Sequence, residues 1–291
     1  MIIVMQKNAA AQAVERVVQT IRDKGLHEHI SQGEERTIIG AVGDERILHL
    51  HDLESLPQVE RVFRVLNDWR IISREVQVED GVIQVRGVPL GGGKVVAVSC
   101  GFAPDKQADA VYLDPFFVSA NPYAEAAAVH EKAQEKNMRE VLAACHAADK
   151  PALVRIRDVR QIPAALSAEA DVLYLGGELM SNRALLEEVG RLNTPLVLCK
   201  DKHHSFNDWL VAAEFVALKG NHHIILGESG TLSFERDHPY RLDVEAIARV
   251  RQLSYLPVLA NISRLWHNGL PQEVLYRLAV AAGANAVIST L

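Results

Sequence analysis

The sequence has few of the features that mark secreted, metal-bound or membrane-spanning proteins. Its three cysteines, Cys100, Cys145 and Cys199, are far apart and form no CxxC pair. This spacing indicates neither a disulfide framework nor a structural zinc site. No apolar run approaches the roughly 20 residues that a membrane-spanning helix needs. Residues 1–6 also lack the basic start and apolar core of a signal peptide. We therefore expect a cytoplasmic protein with no membrane partner.

Positive charge is also scarce. The 291 residues include 31 Lys and Arg against 37 Asp and Glu, for a formal net charge of −6. A general nucleic-acid binder needs a basic surplus to neutralise phosphates, so no nucleic-acid partner is expected. The hydrophobic fraction of 48% and the charged fraction of 23% are typical of a globular protein. The twelve histidines are mostly scattered singly, which favours ordinary surface roles over metal binding.

The first 70 residues show the order of a ferredoxin-like βαβ-βαβ unit. Apolar spacing predicts a strand at 2–5, a helix at 9–24 and a hairpin around Ser31-Gln32-Gly33-Glu34. A second short helix is predicted to begin near Leu56-Pro57 and to run into a strand at 61–66. A linker over 71–93 is expected to carry another hairpin. It would pair 77–78 with 82–85 across Glu79-Asp80-Gly81.

Residues 94–291 alternate between short apolar segments and helical ones, which is typical of a (β/α)8 TIM barrel. The predicted strands are 95–98, 110–113, 152–156, 172–175, 196–199, 223–226, 258–260 and 286–288. The predicted helices are 124–148, 183–192, 206–219, 244–253 and 272–282. Outer helices 1 and 8 are expected to be absent. Because a barrel needs its outer strand faces covered, we expect the linker hairpin, the N-terminal domain or another subunit to cover that flank.

Several motifs follow one another in an order and at spacings that match one enzyme family. They are Gly33-Glu34-Glu35-Arg36-Thr37-Ile38-Ile39-Gly40, Gly43-Asp44-Glu45-Arg46, Ser73-Arg74-Glu75, Gly91-Gly92-Gly93, Asn121-Pro122-Tyr123, Leu175-Gly176, the run 208–214 and Ala281-Ala282-Gly283-Ala284. On these motifs the chain resembles the type I-beta 3-deoxy-D-arabino-heptulosonate 7-phosphate (DAHP) synthases over nearly its whole length. The resemblance implies a regulatory domain at 1–70, a linker at 71–93 and a catalytic barrel at 94–291, acting in aromatic amino acid (shikimate pathway) metabolism.

The same resemblance implies a reaction at the carboxyl ends of the strands. Such a barrel condenses phosphoenolpyruvate with erythrose 4-phosphate and uses a divalent metal. Two phosphorylated substrates require Lys and Arg side chains. The metal activates the aldehyde as a Lewis acid, held by cysteine, histidine and carboxylate ligands.

Most residues that this chemistry needs are replaced here. The family's functional positions fall at Phe102, at Phe117-Val118-Ser119-Ala120, and at Glu178, Cys199, Ser229, Leu232, Arg264 and Thr290. The metal ligands are expected at Phe102, Arg264 and Thr290, none of which suits a metal. We therefore expect the family metal site to be lost, and no cofactor in its place. Cys100 and Lys200 stand next to two replaced positions and are the nearest substitutes.

Other polar residues are expected near the same end of the barrel. They are Arg155, Arg157, Glu178, Lys200, His203, His204, Glu228 and Arg264. One interpretation is a rebuilt anion pocket with Arg155 and Arg264 as clamps. The one we favour is an ion pair between Arg155 and Glu178 across the barrel that plugs it, because a buried arginine needs a partner. A Schiff-base aldolase through Lys200 is a weaker interpretation. A metal pair at His203 and His204 is also weak, because adjacent residues on a strand or helix point apart.

Three classes of function follow from these expectations. The first is a non-catalytic regulatory or scaffolding subunit that binds a genuine DAHP synthase or another shikimate-pathway enzyme. The second is an enzyme, either a functional DAHP synthase or an aldolase-type enzyme of changed specificity. The third is a sensor that binds an aromatic amino acid at the N-terminal domain. We favour a catalytically inactive, homo-oligomeric protein that combines the first and third classes.

Overall fold

A computed structural model describes residues 1–33, 36–43, 47–63, 68–124, 130–267 and 269–290. Its first part contains the strands β1 (Ile2–Met5), β2 (His27–Gln32), β3 (Thr37–Val42) and β4 (Val59–Phe63), and the helices α1 (Ala11–Asp23) and α2 (Leu50–Glu54). The strands form an antiparallel sheet in the order β2-β3-β1-β4. This is the predicted ferredoxin-like unit. The tip of its hairpin at 34–35 and the motif residues 44–46 lie outside the described residues.

The second helix is not where it was predicted. Helix α2 ends at Glu54, and Leu56-Pro57-Gln58 forms the turn that leads into β4. Gln58 has a positive φ of 60°, which is a turn conformation and not a helical one. Leu56-Pro57, where the second helix was predicted to start, therefore lies in the connection between α2 and β4. The last part of the predicted strand, 64–66, lies outside the described residues.

The central strand β1 joins the small domain to the rest of the protein. Because side chains alternate along a strand, Ile3 and Met5 pack with Val17 of α1, whereas Ile2 and Val4 point the other way. Ile2 and Val4 belong to the large hydrophobic core that surrounds the barrel. The sheet is therefore buried on both faces, and its second face docks on the barrel.

Eight parallel strands form the closed barrel. They are β7 (Val96–Cys100), β8 (Ala110–Leu113), β9 (Ala152–Ile156), β10 (Val172–Leu175), β11 (Leu196–Cys199), β12 (Ile224–Glu228), β15 (Val258–Asn261) and β16 (Ala286–Ser289). The barrel closes where β16 pairs with β7. Between β12 and β15, the short strands β13 (Thr231–Leu232) and β14 (Tyr240–Arg241) pair with each other outside the barrel. The outer helices are α3 (Glu131–Ala147), α4 (Ile162–Ser167), α5 (Arg183–Gly190), α6 (Phe206–Leu218), α7 (Val244–Leu253) and α8 (Gln272–Ala282). The predicted barrel is confirmed. Residues 125–129 of the predicted helix 124–148 lie outside the described residues.

The linker hairpin differs from its prediction in both position and role. Its strands are β5 (Ile83–Val85) and β6 (Val88–Leu90), and its turn is Arg86-Gly87, with φ of 44° and 77°. Two positive φ values suit the twist of a two-residue hairpin turn. The expected turn at Glu79-Asp80-Gly81 instead accepts hydrogen bonds from Arg74 and Arg251 through Asp80. The hairpin packs into the interior core and closes the amino-terminal end of the barrel.

The flank next to β7 has no outer helix of its own within the described part of the chain. Residues 101–109, between β7 and β8, contain no helix, and Ala97 on the outer face of β7 is partly exposed. The linker hairpin lies at the barrel's end and not on this flank. The N-terminal domain packs on α6, beside β11, which is four strands away from β7 around the barrel. The intramolecular covers that we expected are thus wrong, and cover by another subunit stays a prediction.

Helix α6 is the support on which the N-terminal part rests. Trp69 Nε1 donates to Asn207 Oδ1 at 2.9 Å near the start of the helix. The buried Glu214 accepts from the amides of Ile71 and Ile72, at 2.9 and 3.2 Å. Near the end of the helix, Ser31 Oγ donates to the carbonyl of Ala217 at 3.0 Å. The domain and linker therefore contact the helix along its whole length. Among the described helices, none combines the length and apolar character needed to cross a membrane.

Candidate functional site

A cavity of about 980 Å³ opens at the carboxyl ends of the barrel strands. Its lining comes from loops that follow most of the strands, which is where TIM barrels place their functional residues. The predicted site residues that line it are Phe102, Phe117, Arg155, Arg157, Glu178, Lys200, His203, Ser229 and Arg264. The fold thus brings most of the predicted residues to one place. We call this cavity the mouth cavity.

Two arginines of β9 and two carboxylates form a closed network in the mouth cavity. Arg155 Nη2 lies 2.5 Å from Glu178 Oε1, and Arg157 binds Asp114 with two hydrogen bonds of 3.1 and 2.5 Å. Weaker contacts complete the ring, at 3.7 Å from Arg155 to Asp114 and 3.9 Å from Arg157 to Glu178. Each cation therefore faces both carboxylates. We call these four residues the charge ring.

The electrostatics of the charge ring follow from its partial burial. Burial alone would raise the pKa of Glu178, but the charge and hydrogen bond of Arg155 outweigh it and hold that pKa below its usual range. Burial opposes the charge of Arg155 as well, but the nearby Tyr112 and Glu178 raise its pKa. Both groups are therefore ionised at neutral pH. The expected Arg155–Glu178 pair exists, but it joins neighbouring strands and leaves the cavity open, so the expected plug across the barrel is wrong.

Below the charge ring, two tyrosines and a cysteine fill the barrel interior. The rings of Tyr112 and Tyr174 pack at a centroid distance of 4.7 Å, tilted by 59°. Asn261 Nδ2 donates to the Tyr174 hydroxyl at 3.0 Å. Cys199 is fully buried, and burial raises the pKa of its thiol to about 12. Its position on β11 is therefore occupied by a neutral, inaccessible thiol.

Lys200 and Glu228 are buried at the edge of the mouth cavity. Lys200 is 1% exposed, and its Nζ lies 3.2 Å from Asp243 Oδ2. Glu228 is fully buried and does not line the cavity. Its Oε1 accepts from the amide of Gly230 at 2.8 Å, whereas its Oε2 has no hydrogen-bond partner among the described residues. Burial raises the pKa of Glu228 to about 7. Lys200 is thus an ion-paired residue, an arrangement that gives no support to a Schiff-base role.

The loop after β11 brings two histidines to one carboxylate. The Nδ1 atoms of His203 and His204 lie 3.0 and 3.2 Å from the same Asp201 Oδ1. Our expectation that these adjacent rings point apart is wrong, because they lie in a turn and not in a strand or helix. A capping box between Ser205 and Asp208 starts α6 directly after this loop and holds its end in place.

Two cations at the rim contact aromatic rings and not carboxylates. The Arg264 guanidinium lies 5.4 Å from the centre of the Phe117 ring, and Arg157 lies 5.6 Å from the same ring. Lys202 Nζ lies 3.4 Å above the ring of Tyr240. Among the described residues, neither Arg264 nor Lys202 has a carboxylate partner. These two cations are the groups of the mouth cavity that remain open to an anion.

The comparisons with known proteins agree with this architecture. A model of the DAHP synthetase I family matches residues 132–289, and a model of the DAHP synthase ferredoxin-like domain matches residues 1–67. The phospho-2-dehydro-3-deoxyheptonate aldolase of Thermotoga maritima is 30% identical over 308 residues, covering 99% of this chain and 88% of that protein. The chain belongs to the type I DAHP synthase family.

Two solved structures resemble this chain in fold. The crystal structure of the Thermotoga maritima phospho-2-dehydro-3-deoxyheptonate aldolase (DAHP synthase) has a TM-score of 0.67 at 27% identity, covering 99% of this chain and 86% of that one. A truncated form of the 3-deoxy-D-arabino-heptulosonate 7-phosphate synthase from the same organism has a TM-score of 0.63 at 22% identity. It covers 76% of this chain and 84% of that one. The second likeness bears on the fold alone.

The divalent metal implied by the DAHP synthase family does not fit the donors of this mouth cavity. Asp114 and Glu178 are engaged by arginines, and Asp201 by two histidines. Within the described ranges, no group of three or more His, Cys, Asp or Glu residues could hold a metal ion. Cys100 lines the cavity, and burial raises the pKa of its thiol, which disfavours the thiolate that a metal would need. The carboxylates of the mouth cavity are therefore paired with side chains of the protein itself and are not left free to bind a metal ion.

Thr290 lies apart from the other predicted positions. Its amide and hydroxyl both donate to Gln272 Oε1, at 2.8 and 2.9 Å, and it does not line the mouth cavity. The same is true of Leu232, which is exposed on the short strand β13 (Thr231–Leu232). These two family positions are thus outside the cavity, which is lined by the replaced positions Phe102, Phe117, Glu178, Ser229 and Arg264.

Sequence reasoning missed several residues of the mouth cavity. Asp114, Lys202 and Asn261 all line it. A signal was available, because Asp114 directly follows β8 and Asn261 ends β15, and polar residues at strand ends are typical of barrel sites. Tyr112 and Tyr174 are harder to predict as site residues, because a tyrosine inside a strand is typical of an ordinary core position.

Proposed function

We propose that this member of the DAHP synthase family does not condense phosphoenolpyruvate with erythrose 4-phosphate. Its role is instead regulatory, scaffolding or ligand-sensing within aromatic amino acid metabolism. The observation that carries the proposal is the charge ring. Both arginines of β9 face Asp114 and Glu178, so a phosphate would have to compete with two carboxylates that the protein itself supplies.

The energetic consequence is large for a phosphorylated substrate. A charge-assisted hydrogen bond contributes about 1.5–3 kcal/mol, and each 1.4 kcal/mol is about a factor of ten in affinity. Glu178 would also repel an arriving phosphate, because its lowered pKa keeps it charged. The mouth cavity therefore lacks two means of holding phosphoenolpyruvate. Its β9 arginines are paired with carboxylates, and its donors do not suit the family's divalent metal.

A functional synthase is the second candidate, and two observations favour it. The chain is 30% identical to the Thermotoga maritima aldolase over 99% of its length. The mouth cavity also keeps Lys202 and Arg264 free of carboxylate partners within the described chain. An aldolase-type enzyme that accepts another anion would use the same two cations. All of these enzymatic candidates require an anion to bind in the mouth cavity.

Exposed apolar residues around the mouth cavity support the scaffolding part of the proposal. Phe102, Tyr123, Phe234 and Trp266 are 51%, 95%, 106% and 49% exposed, and each follows the end of a barrel strand. These loops all follow the carboxyl ends of barrel strands, and a contiguous exposed apolar patch is typical of a protein contact surface. The flank beside β7, which has no helix over 101–109, adjoins two of these loops. The proposed partners are a second copy of the chain, a genuine DAHP synthase or another shikimate-pathway enzyme.

A calorimetric titration of the full chain with phosphoenolpyruvate in the presence of Mn²⁺ tests the proposal. The Thermotoga maritima aldolase serves as the positive control. We expect no binding to this chain tighter than about 1 mM, which corresponds to only about 4 kcal/mol. Micromolar binding that depends on Mn²⁺ would contradict the proposal and favour a working synthase.

A further inference from the structure

A second cavity, of about 610 Å³, lies at the opposite, amino-terminal end of the barrel. Three parts of the chain meet there. The N-terminal hairpin contributes Arg36 and Ile38, the linker contributes Val82, and the residues just before β12 and β15 contribute His222 and Tyr255. We call this cavity the junction cleft. None of the described residues that line it is a lysine or carries a carboxylate, and Arg36 is its one arginine.

Arg36 is available to a ligand because its present ion pair is weak. Its Nη1 lies 3.3 Å from Glu60 Oε1, and the two side chains are 43% and 35% exposed. Exposed ion pairs of this kind contribute little, since water screens both charges. A carboxylate held inside the junction cleft would be shielded from water on several sides. It would therefore interact with Arg36 more strongly than Glu60 does.

Tyr255 lines the junction cleft together with Arg36 and offers a hydroxyl donor. Its side chain is half-buried, and its hydroxyl makes no hydrogen bond to any described residue. Burial and then the nearby carboxylate of Glu214 raise the pKa of Tyr255 well above its usual range, and the smaller effect of the Arg36 charge acts in the opposite direction. The phenol therefore keeps its proton and lies within electrostatic range of the guanidinium. A guanidinium and a free hydroxyl together suit a carboxylate.

The remaining walls are neutral. Burial lowers the pKa of His222, so its ring carries no charge at neutral pH. That ring is also held in place, with Nε2 at 2.9 Å from Ser31 Oγ. Ile38, Val82 and Pro257 supply apolar surface. A cavity of this size and mixed lining suits a small organic molecule.

We propose that the junction cleft binds a small amphipathic carboxylate. Its carboxyl group contacts Arg36 and Tyr255, and its apolar body lies against Ile38 and Val82. An amino acid fits less well, because the described lining residues include no carboxylate for its ammonium group, and Glu60, which pairs with Arg36, does not line the cleft. A ligand here would tie the N-terminal domain to the linker and to the start of β12. The junction cleft would be the place where the proposed sensing role is carried out. Binding of the carboxylate does not depend on that role, but a regulatory effect of binding rests on the proposed function.

Three matched probes test the class of ligand on the full chain. They are 3-phenylpropionate, its uncharged amide 3-phenylpropanamide, and phenylalanine, which adds only the ammonium group. By calorimetry we expect 3-phenylpropionate to bind with a dissociation constant of about 1 mM or tighter. The amide and phenylalanine should each bind at least about tenfold more weakly, because one lacks the charge and the other brings an unpaired one.

Single substitutions test whether the ligand binds in the junction cleft. Arg36→Gln should weaken 3-phenylpropionate at least about tenfold and Tyr255→Phe about threefold or more. Tyr255→Phe removes no hydrogen bond to a described residue, so it should fold normally. Arg16→Gln, an exposed arginine of α1, should have no effect. The inference is overturned if 3-phenylpropionate does not bind, if phenylalanine binds equally well, or if Arg264→Gln weakens binding instead of Arg36→Gln. The first two failures leave the inactivity proposal untouched, because that proposal depends on the mouth cavity. The third would place an anion beside Arg264 in the mouth cavity and would favour the enzymatic candidates as well.

Discussion

Arg155 and Glu178 form an ion pair of 2.5 Å at the ends of two neighbouring barrel strands, β9 and β10. The pair lies directly against Gly176, where an added Cβ would overlap both side chains. A cation that would point into the mouth cavity is thus neutralised from within the protein. The account of this chain as an inactive family member depends on that arrangement.

Replacing Glu178 with glutamine should destabilise the fold modestly. The substitution leaves Arg155 partly buried without its closest carboxylate, but Glu178 is 51% exposed, so water compensates in part. We expect a loss of about 1 kcal/mol in urea denaturation. Glu188→Gln is the matched control, because Glu188 is also 51% exposed and pairs only with Arg191 at the surface. An equal effect of both substitutions would show that the pair contributes nothing.

Two adjacent glycines should respond differently to alanine. At Gly176 the new Cβ would meet the ends of two flexible side chains, whereas at Gly177 it would meet the backbone of Lys200 and Asp201. We expect Gly177→Ala to cost about 3 kcal/mol or more and Gly176→Ala about 1 kcal/mol. Gly93→Ala is the control, since nothing lies within 4 Å of its added Cβ. The two neighbours costing the same would show that the described packing is incorrect.

The Gly176→Ala effect should also depend on Glu178. In a Glu178→Ala background the ion pair is already gone, so the added methyl group should cost less than in the native chain. A double-mutant cycle by urea denaturation measures this coupling. If the losses in free energy of unfolding from the two substitutions were strictly additive, Gly176 would not be in contact with the ion pair.

Glu228 should make stability depend on pH. Its folded pKa of about 7 lies above the ordinary value of 4.5 for a glutamate, so the folded state holds a proton that the unfolded chain releases. Stability therefore falls as pH rises from about 4.5 to 7, by up to about 3 kcal/mol. Glu228→Gln should remove this loss and be more stable than the native chain at pH 8. Urea denaturation at pH 5 and 8 tests this, and parallel pH curves for the two proteins would contradict it.

Glu214 should hold the linker on α6. Glu214→Ala leaves the amides of Ile71 and Ile72 without their acceptor, and we expect a loss of about 2–3 kcal/mol. Limited proteolysis should then cut the linker faster than in the native chain. Glu140→Ala, at an exposed position of α3, is the control. Unchanged cleavage of Glu214→Ala would show that the linker is held elsewhere.

The sequence predicts the barrel well because its strands are buried on both faces. The bounds of β8, β9, β10 and β11 follow directly from short, continuous apolar runs. The linker hairpin was misplaced because Glu79-Asp80-Gly81 has the composition of a turn. Asp80 in fact binds Arg251, 171 residues away along the chain. A contact of that kind has no local signal.

The candidate site was only partly predictable for a similar reason. The sequence placed Arg155, Arg157 and Glu178 at one end of the barrel, because they follow or end strands. It did not show that Asp114 would bind Arg157, since that contact depends on how β8 and β9 are aligned. The buried position of Glu228 and the outward turn of Thr290 likewise depend on loops that have no fixed pattern.

The most direct measurement is the formation of DAHP from saturating phosphoenolpyruvate, erythrose 4-phosphate and Mn²⁺ by the full chain. The Thermotoga maritima aldolase is the positive control, and an Arg264→Ala variant of this chain sets the background. We predict no product above that background, because the charge ring leaves the β9 arginines unavailable to phosphate. Turnover near the common enzyme value of about 10 s⁻¹ would contradict the account and identify a working synthase.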